Sequence, residues 1–206
     1  MTLALDLHFP NSGNTAEFSE DGRYRYRLTR CLDRRLPEVA VVCLNPSKAG
    51  AFHTDPTVFS ISRLVRFGGH GRFTLVNLNA AVETDPDDLA HWDDPVGPNN
   101  DLYLREVAER FDLIVLAWGA NADPGRARQV AAMMWRGVCS RGGQLGVWGW
   151  TAAGQPHHPL YLASDTPLLC LSGAAHPRYD GVDQRWCSLI ADTSDIPVGT
   201  GIRRSA

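Results

Sequence analysis

A chain of 206 residues with 44% hydrophobic and 21% charged positions has material for one folded core and is too apolar for a disordered chain. Its net charge of −3 removes any overall electrostatic pull toward nucleic acid. Five cysteines, none at CxxC spacing, exclude a locally encoded zinc ribbon or cluster site and point to a reducing compartment.

The opening residues, with an acid and a histidine at Asp6 and His8, lack the basic end and apolar run of a signal peptide. No window approaches the length of a membrane span. The expected location is the cytoplasm, with no membrane partner. Residues 1–22 read as a poorly ordered lead-in, 23–192 as a single α/β domain, and 193–206 as an extended or mobile tail. In Arg23-Tyr24-Arg25-Tyr26-Arg27, alternation puts arginines on one strand face and tyrosines on the other. Such a face is either a solvated edge that resists aggregation or a patch that contacts phosphates.

Residues 38–44 form a continuous apolar run of strand length, the pattern of a strand buried on both faces. Residues 73–78, 113–118 and 144–148 repeat it, and 167–171 is a fifth such run. Helical patterns lie between. Asp55-Pro56 supplies a cap and a first-turn proline ahead of Val58, Ile61 and Val65. Leu104, Val107, Ala108 and Phe111 share one helical face. So do Ala127, Val130, Ala131 and Met134, after Asp123-Pro124 and before an expected stop at Gly137. Alternating strands and helices predict a three-layer α/β/α sandwich around a mainly parallel sheet of four to five strands.

Sites in such sheets form beyond the carboxyl ends of the strands. There the sequence places Asn45-Pro46-Ser47-Lys48, then Asn77-Leu78-Asn79, then Trp118-Gly119-Ala120-Asn121. An asparagine amide offers a donor and an acceptor in one plane, which suits the edge of a nucleobase; it also caps helices and turns. After the fourth run, His157-His158-Pro159-Leu160-Tyr161 brings an imidazole toward the same edge, either as a donor to developing negative charge or as part of a rigid surface loop. The two adjacent histidines have no partners at metal-ligand spacing, so no metal site is expected. Asp55 and Asp101 are the nearby acids, each a general base or a helix cap. Neither GxGxxG nor a P-loop is present, and no cofactor is expected.

The succession LNPSKA, DPT, VNLNA, DPVGPNND, LAWGANA and GQPHHPLYL resembles the bacterial family of unknown function DUF1643, over residues 23–171. The same order of motifs is similar, more distantly, to the uracil-DNA glycosylase superfamily. That resemblance implies a uracil-DNA-glycosylase-like fold and hydrolysis of an N-glycosidic bond of a damaged or modified base in DNA. Asn45 would then hold the attacking water, with Asp55, which follows the first loop closely, as the candidate acid. Asn77 or Asn79 would read the base edge, with Pro46, Ser47, Trp118 and Gly119 around it and Phe52 or Phe67 stacking on it. His158 would stabilise the departing base anion, while Pro159, Leu160 and Tyr161 form a loop that wedges into the stack. Arg23, Arg25, Arg27 and Lys48 would meet the nucleic-acid backbone. The expected partner is single- or double-stranded DNA, or a nucleoside-like small molecule, bound by a monomer. The alternative is a module that binds a nucleobase or nucleotide without chemistry.

Overall fold

Four of the apolar runs become the centre of one sheet because helices cover both of its faces. The computed structural model describes residues 13–47, 54–83, 91–172 and 182–191. The central strands are β3 (Glu38–Cys43), β4 (Arg72–Asn77), β5 (Leu113–Leu116) and β6 (Gln144–Val147), which lie in the order β4-β3-β5-β6 and run parallel. On one face Val39, Val41, Phe73 and Leu75 pack against Val58, Ile61 and Leu64 of α1 (Pro56–Phe67). On the other, Ala40, Val42, Val76, Ile114 and Leu116 meet α2 (Asn100–Arg110), α3 (Pro124–Cys139) and α4 (Gln184–Ile190). Each fully buried Ile or Leu contributes about 2 kcal/mol by leaving water. The helices therefore form two layers around the sheet.

The sheet is larger and more mixed than expected. β2 (Arg25–Cys31) pairs antiparallel with β4, β1 (Thr15–Phe18) antiparallel with β2, and β7 (Leu169–Ser172) antiparallel with β6. Seven strands replace the predicted four or five, with three parallel and three antiparallel pairings among the described residues. β1 falls inside the segment read as a loose lead-in. β7 returns antiparallel because only a 3₁₀ turn (Pro159–Tyr161) interrupts the described connection from β6, and a parallel return needs a longer crossover, usually a helix.

The arginine face also differs. Glu17 pairs with Arg27 but Phe18 pairs with Arg25, so one extra residue bulges out of β2 and breaks the alternation. Tyr26 and Arg27 both turn to Tyr103 of α2, the first stacked at 5.0 Å and the second over the ring at 5.1 Å. Arg27 is also paired with Glu17 at 2.6 Å and Glu106 at 3.1 Å. Arg25 goes the other way and is 2% exposed. The three arginines do not share a solvent face.

Both Asp-Pro helix starts form as the sequence predicts. Asp55 Oδ1 accepts the Val58 amide at 2.7 Å, and Asp123 Oδ1 accepts the Arg126 amide at 2.7 Å. Gly137 does not end α3, which continues to Cys139. Its role is close approach: a Cβ there would lie 2.1 Å from the carbonyl oxygen of Ala108 in α2. No helix among the described residues is long and apolar enough to cross a membrane.

Candidate functional site

The chain leaves β3 for α1 on one face and later leaves β4 for α2 on the other, so the strand order reverses between β3 and β5. At such a reversal neighbouring loops diverge and open a crevice at the carboxyl ends. A cleft of about 540 Å³ occupies that place. Leu44, Asn45 and Ser47 form one wall, and Trp118 to Asn121 form the opposite one. His157, His158, Leu160, Tyr161 and Leu162 close a third side, with Thr57, Glu83 and Thr151 completing the lining.

Main-chain bonds hold the first two loops together. Leu78 and Asn79 donate their amides to the carbonyls of Cys43 and Leu44 at 2.9 Å each. Glu83 donates its amide to Pro46 O at 3.0 Å. The Asn45 Nδ2 group donates to Glu83 O at 2.7 Å and Pro46 O at 3.3 Å. Two carbonyl acceptors decide which way the amide faces, leaving Asn45 Oδ1 as an acceptor with no protein partner among the described residues.

The third and fourth loops are joined as closely. Gly119 donates to Pro156 O at 2.9 Å, and Trp118 Nε1 donates to Gln155 Oε1 at 2.9 Å. Gly119 has φ +82°, and a Cβ there would come 3.1 Å from His158 Cβ. Only glycine accepts that backbone and lets the histidine loop come so near. His158 Nδ1 accepts the Leu160 amide at 3.3 Å, so in the neutral ring the proton resides on Nε2. Burial pushes the His158 pKa below its ordinary value, opposed by the charge of Asp55. An uncharged imidazole with an Nε2–H donor therefore borders the cleft at neutral pH.

Of the residues singled out in the sequence, Asn45, Ser47, Trp118, Gly119, His158, Leu160 and Tyr161 meet in this cleft. Tyr161 is 87% exposed at its rim. Pro46 and Pro159 are buried within the loops and outside the lining. Asp55 also lies outside it. Its Oδ1 caps α1 and its Oδ2 accepts the Ser47 hydroxyl, so it braces the first loop. Asp101 is paired with Arg126 at 2.5 Å, and Arg126 Nε donates to Leu78 O at 3.0 Å. Phe67 sits at the other end of α1, beside a separate apolar groove. Phe52 and Lys48 lie outside the described residues.

Asn77 lies beside Cys43 in the register of β3 and β4. It is 1% exposed, and neither its Nδ2 nor its Oδ1 has a hydrogen-bond partner among the described residues. Asn77 is absent from the cleft's lining. Asn79 is half-buried and also outside it. Arg25 lies behind the first loop and donates to Ser47 O at 3.2 Å; burial lowers its pKa to about 10 despite the nearby Asp55 carboxylate. Arg23 stacks over Trp92 at 4.7 Å, in a second hollow of about 340 Å³ that shares Glu83 with the cleft.

The family model for a protein of unknown function, DUF1643, matches residues 25–160. The chain belongs to the DUF1643 family. No curated protein and no solved structure matches it significantly. The matched span of this DUF1643 chain opens at Arg25, the buried arginine behind the first loop, and ends at Leu160 on the histidine loop. It therefore contains every lining residue except Tyr161 and Leu162.

The same geometry explains DPVGPNND, a rigid turn ahead of α2 that acts as a clamp. Asn100 Nδ2 donates to both Asn77 O and Leu78 O at 3.0 Å, and Asp94 Oδ1 accepts the Gly97 amide at 2.9 Å. Glu83 and Thr151 line the cleft without standing out in the sequence, while Thr57 lines it from the DPT motif. His157 stands out there only as half of a histidine pair without metal partners, yet it too lines the cleft. Glu83 has a usable signal, since it follows the strand that ends in Asn77, as the other wall residues follow theirs.

Proposed function

We propose that the cleft binds a nucleobase and hydrolyses its N-glycosidic bond, in the manner suggested by the likeness to uracil-DNA glycosylases. The observation that carries this reading is the pairing, in one cleft, of an uncommitted acceptor at Asn45 with a neutral donor at His158. Breaking an N-glycosidic bond leaves an electron-rich base and an electron-poor sugar. A neutral donor steadies the base as it departs, and an acceptor holds water for attack on the sugar. The four loops also follow their strands in the order that the likeness requires. Tyr161 gives an exposed aromatic beside the cleft for stacking or wedging.

The dispersal of Arg25 and Arg27 to opposite faces, with a net charge of −3, weighs against an extended track for a duplex backbone. Single-stranded DNA or a free nucleoside suits the cleft better. A second reading, binding without catalysis, draws on the bonds that tie the Asn45 amide to Pro46 and Glu83, which equally brace a loop.

The deciding experiment gives the purified protein oligonucleotides carrying uracil, hypoxanthine or xanthine, single- and double-stranded, and the matching nucleosides. Base release is expected, falling roughly 100-fold or more in Asn45→Ala and in His158→Ala. Tight binding with no release establishes the second reading. Neither release nor binding removes both.

A further inference from the structure

Ser47 lines the cleft two residues after Asn45 and is held from behind at two points. Its carbonyl accepts Arg25 Nη1 at 3.2 Å, and its hydroxyl donates to Asp55 Oδ2. Arg25 belongs to β2 and Asp55 caps α1, so this one residue ties the first loop to a strand and to a helix. Pro46 stands between Ser47 and Asn45 and links them directly. Its carbonyl accepts both the Asn45 side-chain amide at 3.3 Å and the Glu83 main-chain amide at 3.0 Å. With the proline φ fixed, a displacement of Ser47 passes through one stiff unit to the Asn45 side chain.

Arg25 is an unusual occupant for the space behind a loop. It is 2% exposed, and burial pulls its pKa down to about 10 even with the Asp55 carboxylate nearby. Removing a charge from water costs stability, and an apolar side chain of similar volume fills such a space at least as well. What a guanidinium adds is direction, because its planar fork of donors dictates where a carbonyl lies. We infer that Arg25 is a positioning residue of the cleft, acting through Ser47 to fix where Asn45 presents its acceptor to a ligand. This rests on Asn45 as a ligand-facing group in the proposed function, and it holds with or without hydrolysis.

The far side of the clasp agrees. α1, which Asp55 caps, packs against the 3₁₀ turn Pro159–Tyr161 that follows His158, and Thr57 of its first turn lines the cleft. The element that receives the Ser47 hydroxyl therefore also abuts the histidine loop. Arg25 touches neither the ligand space nor His158, so its effect has to travel through the wall that it holds.

The test uses two changes. Arg25→Lys keeps the charge without the fork, and Arg25→Met combined with Asp55→Asn removes both charges together while asparagine still caps α1. Each is made with Asn45 intact and in Asn45→Ala, with folding followed by urea denaturation and binding measured with uridine, inosine and xanthosine. With Asn45 intact, both changes are expected to weaken nucleoside binding about tenfold; in Asn45→Ala the further loss should stay below about twofold. The shift in the urea midpoint should be the same in both backgrounds, as it reports stability alone. In parallel, and without ligand, solvent exchange of the Asn45 side-chain amide is followed by NMR and is expected to quicken at least about tenfold in both changes. If no nucleoside binds the wild type, the proposed function falls and the amide exchange decides the inference by itself. An equal loss of binding with and without Asn45, or an Asn45 amide whose exchange is unaltered in both changes, overturns it.

Discussion

Helix α1 has a hollow at each end, and the same connection from β6 to β7 borders both. At its first turn Thr57 joins the cleft, whose far side is His158, Leu160, Tyr161 and Leu162. At its last turn Leu64, Val65 and Phe67 border a groove of about 210 Å³ with Leu113, Trp148 and Leu168. The groove's walls are mostly hydrocarbon, and its residues belong to the core or lie just outside it. The cleft's walls instead hold amide, imidazole, hydroxyl and carboxylate groups. One helix thus separates a hollow that stability uses from a hollow that chemistry can use. Asparagine, glycine and proline after the strands make the difference, since they shape loops without filling the space between them.

Substitutions at the two hollows should separate stability from function. The largest effect on stability is expected from Leu64→Ala beneath the groove. It should cost about 3 kcal/mol in denaturant unfolding while leaving ligand binding per folded molecule unchanged. Loss of ligand binding at full folding would show that the two hollows are coupled. Gly119→Ala should act the other way. Its strained φ costs about 1–2 kcal/mol, and displacement of the His158 loop should weaken ligand binding by roughly tenfold, measured by titration.

His158→Gln tests the comparison through pH. Because the folded-state pKa of His158 is lowered, the native protein binds fewer protons there than the unfolded chain does. Its contribution is therefore complete above the ordinary value of 6.5 and is lost as pH falls through the lower folded value. Unfolding curves of His158→Gln should lack that part of the acid-side decline. An identical pH profile in both proteins would mean that His158 is not held neutral by its surroundings. The smallest effect is expected from Phe67→Ser, 58% exposed at the groove's edge, with a change below about 0.5 kcal/mol and no change in ligand binding.

The four central strands are legible in the sequence because both faces are covered, which writes an unbroken apolar run into each. α1 and α3 are legible from Asp-Pro, whose caps need only local geometry. β2 is not. Its extra residue at the bulge shows itself only against β1, and one inserted position moves every later side chain to the other face. α4 escapes a sequence reading because its seven residues are too short for a clear period, and Trp186 and Leu189 find their places through tertiary packing. At the site, strand ends identify the loop residues, and seven of those converge. Sequence does not tell Asp55 as a brace from Asp55 as a base, because the same carboxylate position serves either. Glu83 escapes for a different reason: its tie to Asn45 runs through its own main-chain atoms, which leave no mark on residue type.

The reversal of strand order between β3 and β5 also has a mechanical side. One wall of the cleft leads into α1 on the first face, and the other leads into α3 on the second. A ligand held between them acts as a strut between two layers that lie on opposite faces of the sheet. Its binding should raise the melting temperature whether or not any bond is cut, in proportion to the logarithm of ligand concentration above the dissociation constant. Thermal melting in the presence of candidate nucleosides therefore sorts ligands by affinity in a protein whose chemistry has been switched off.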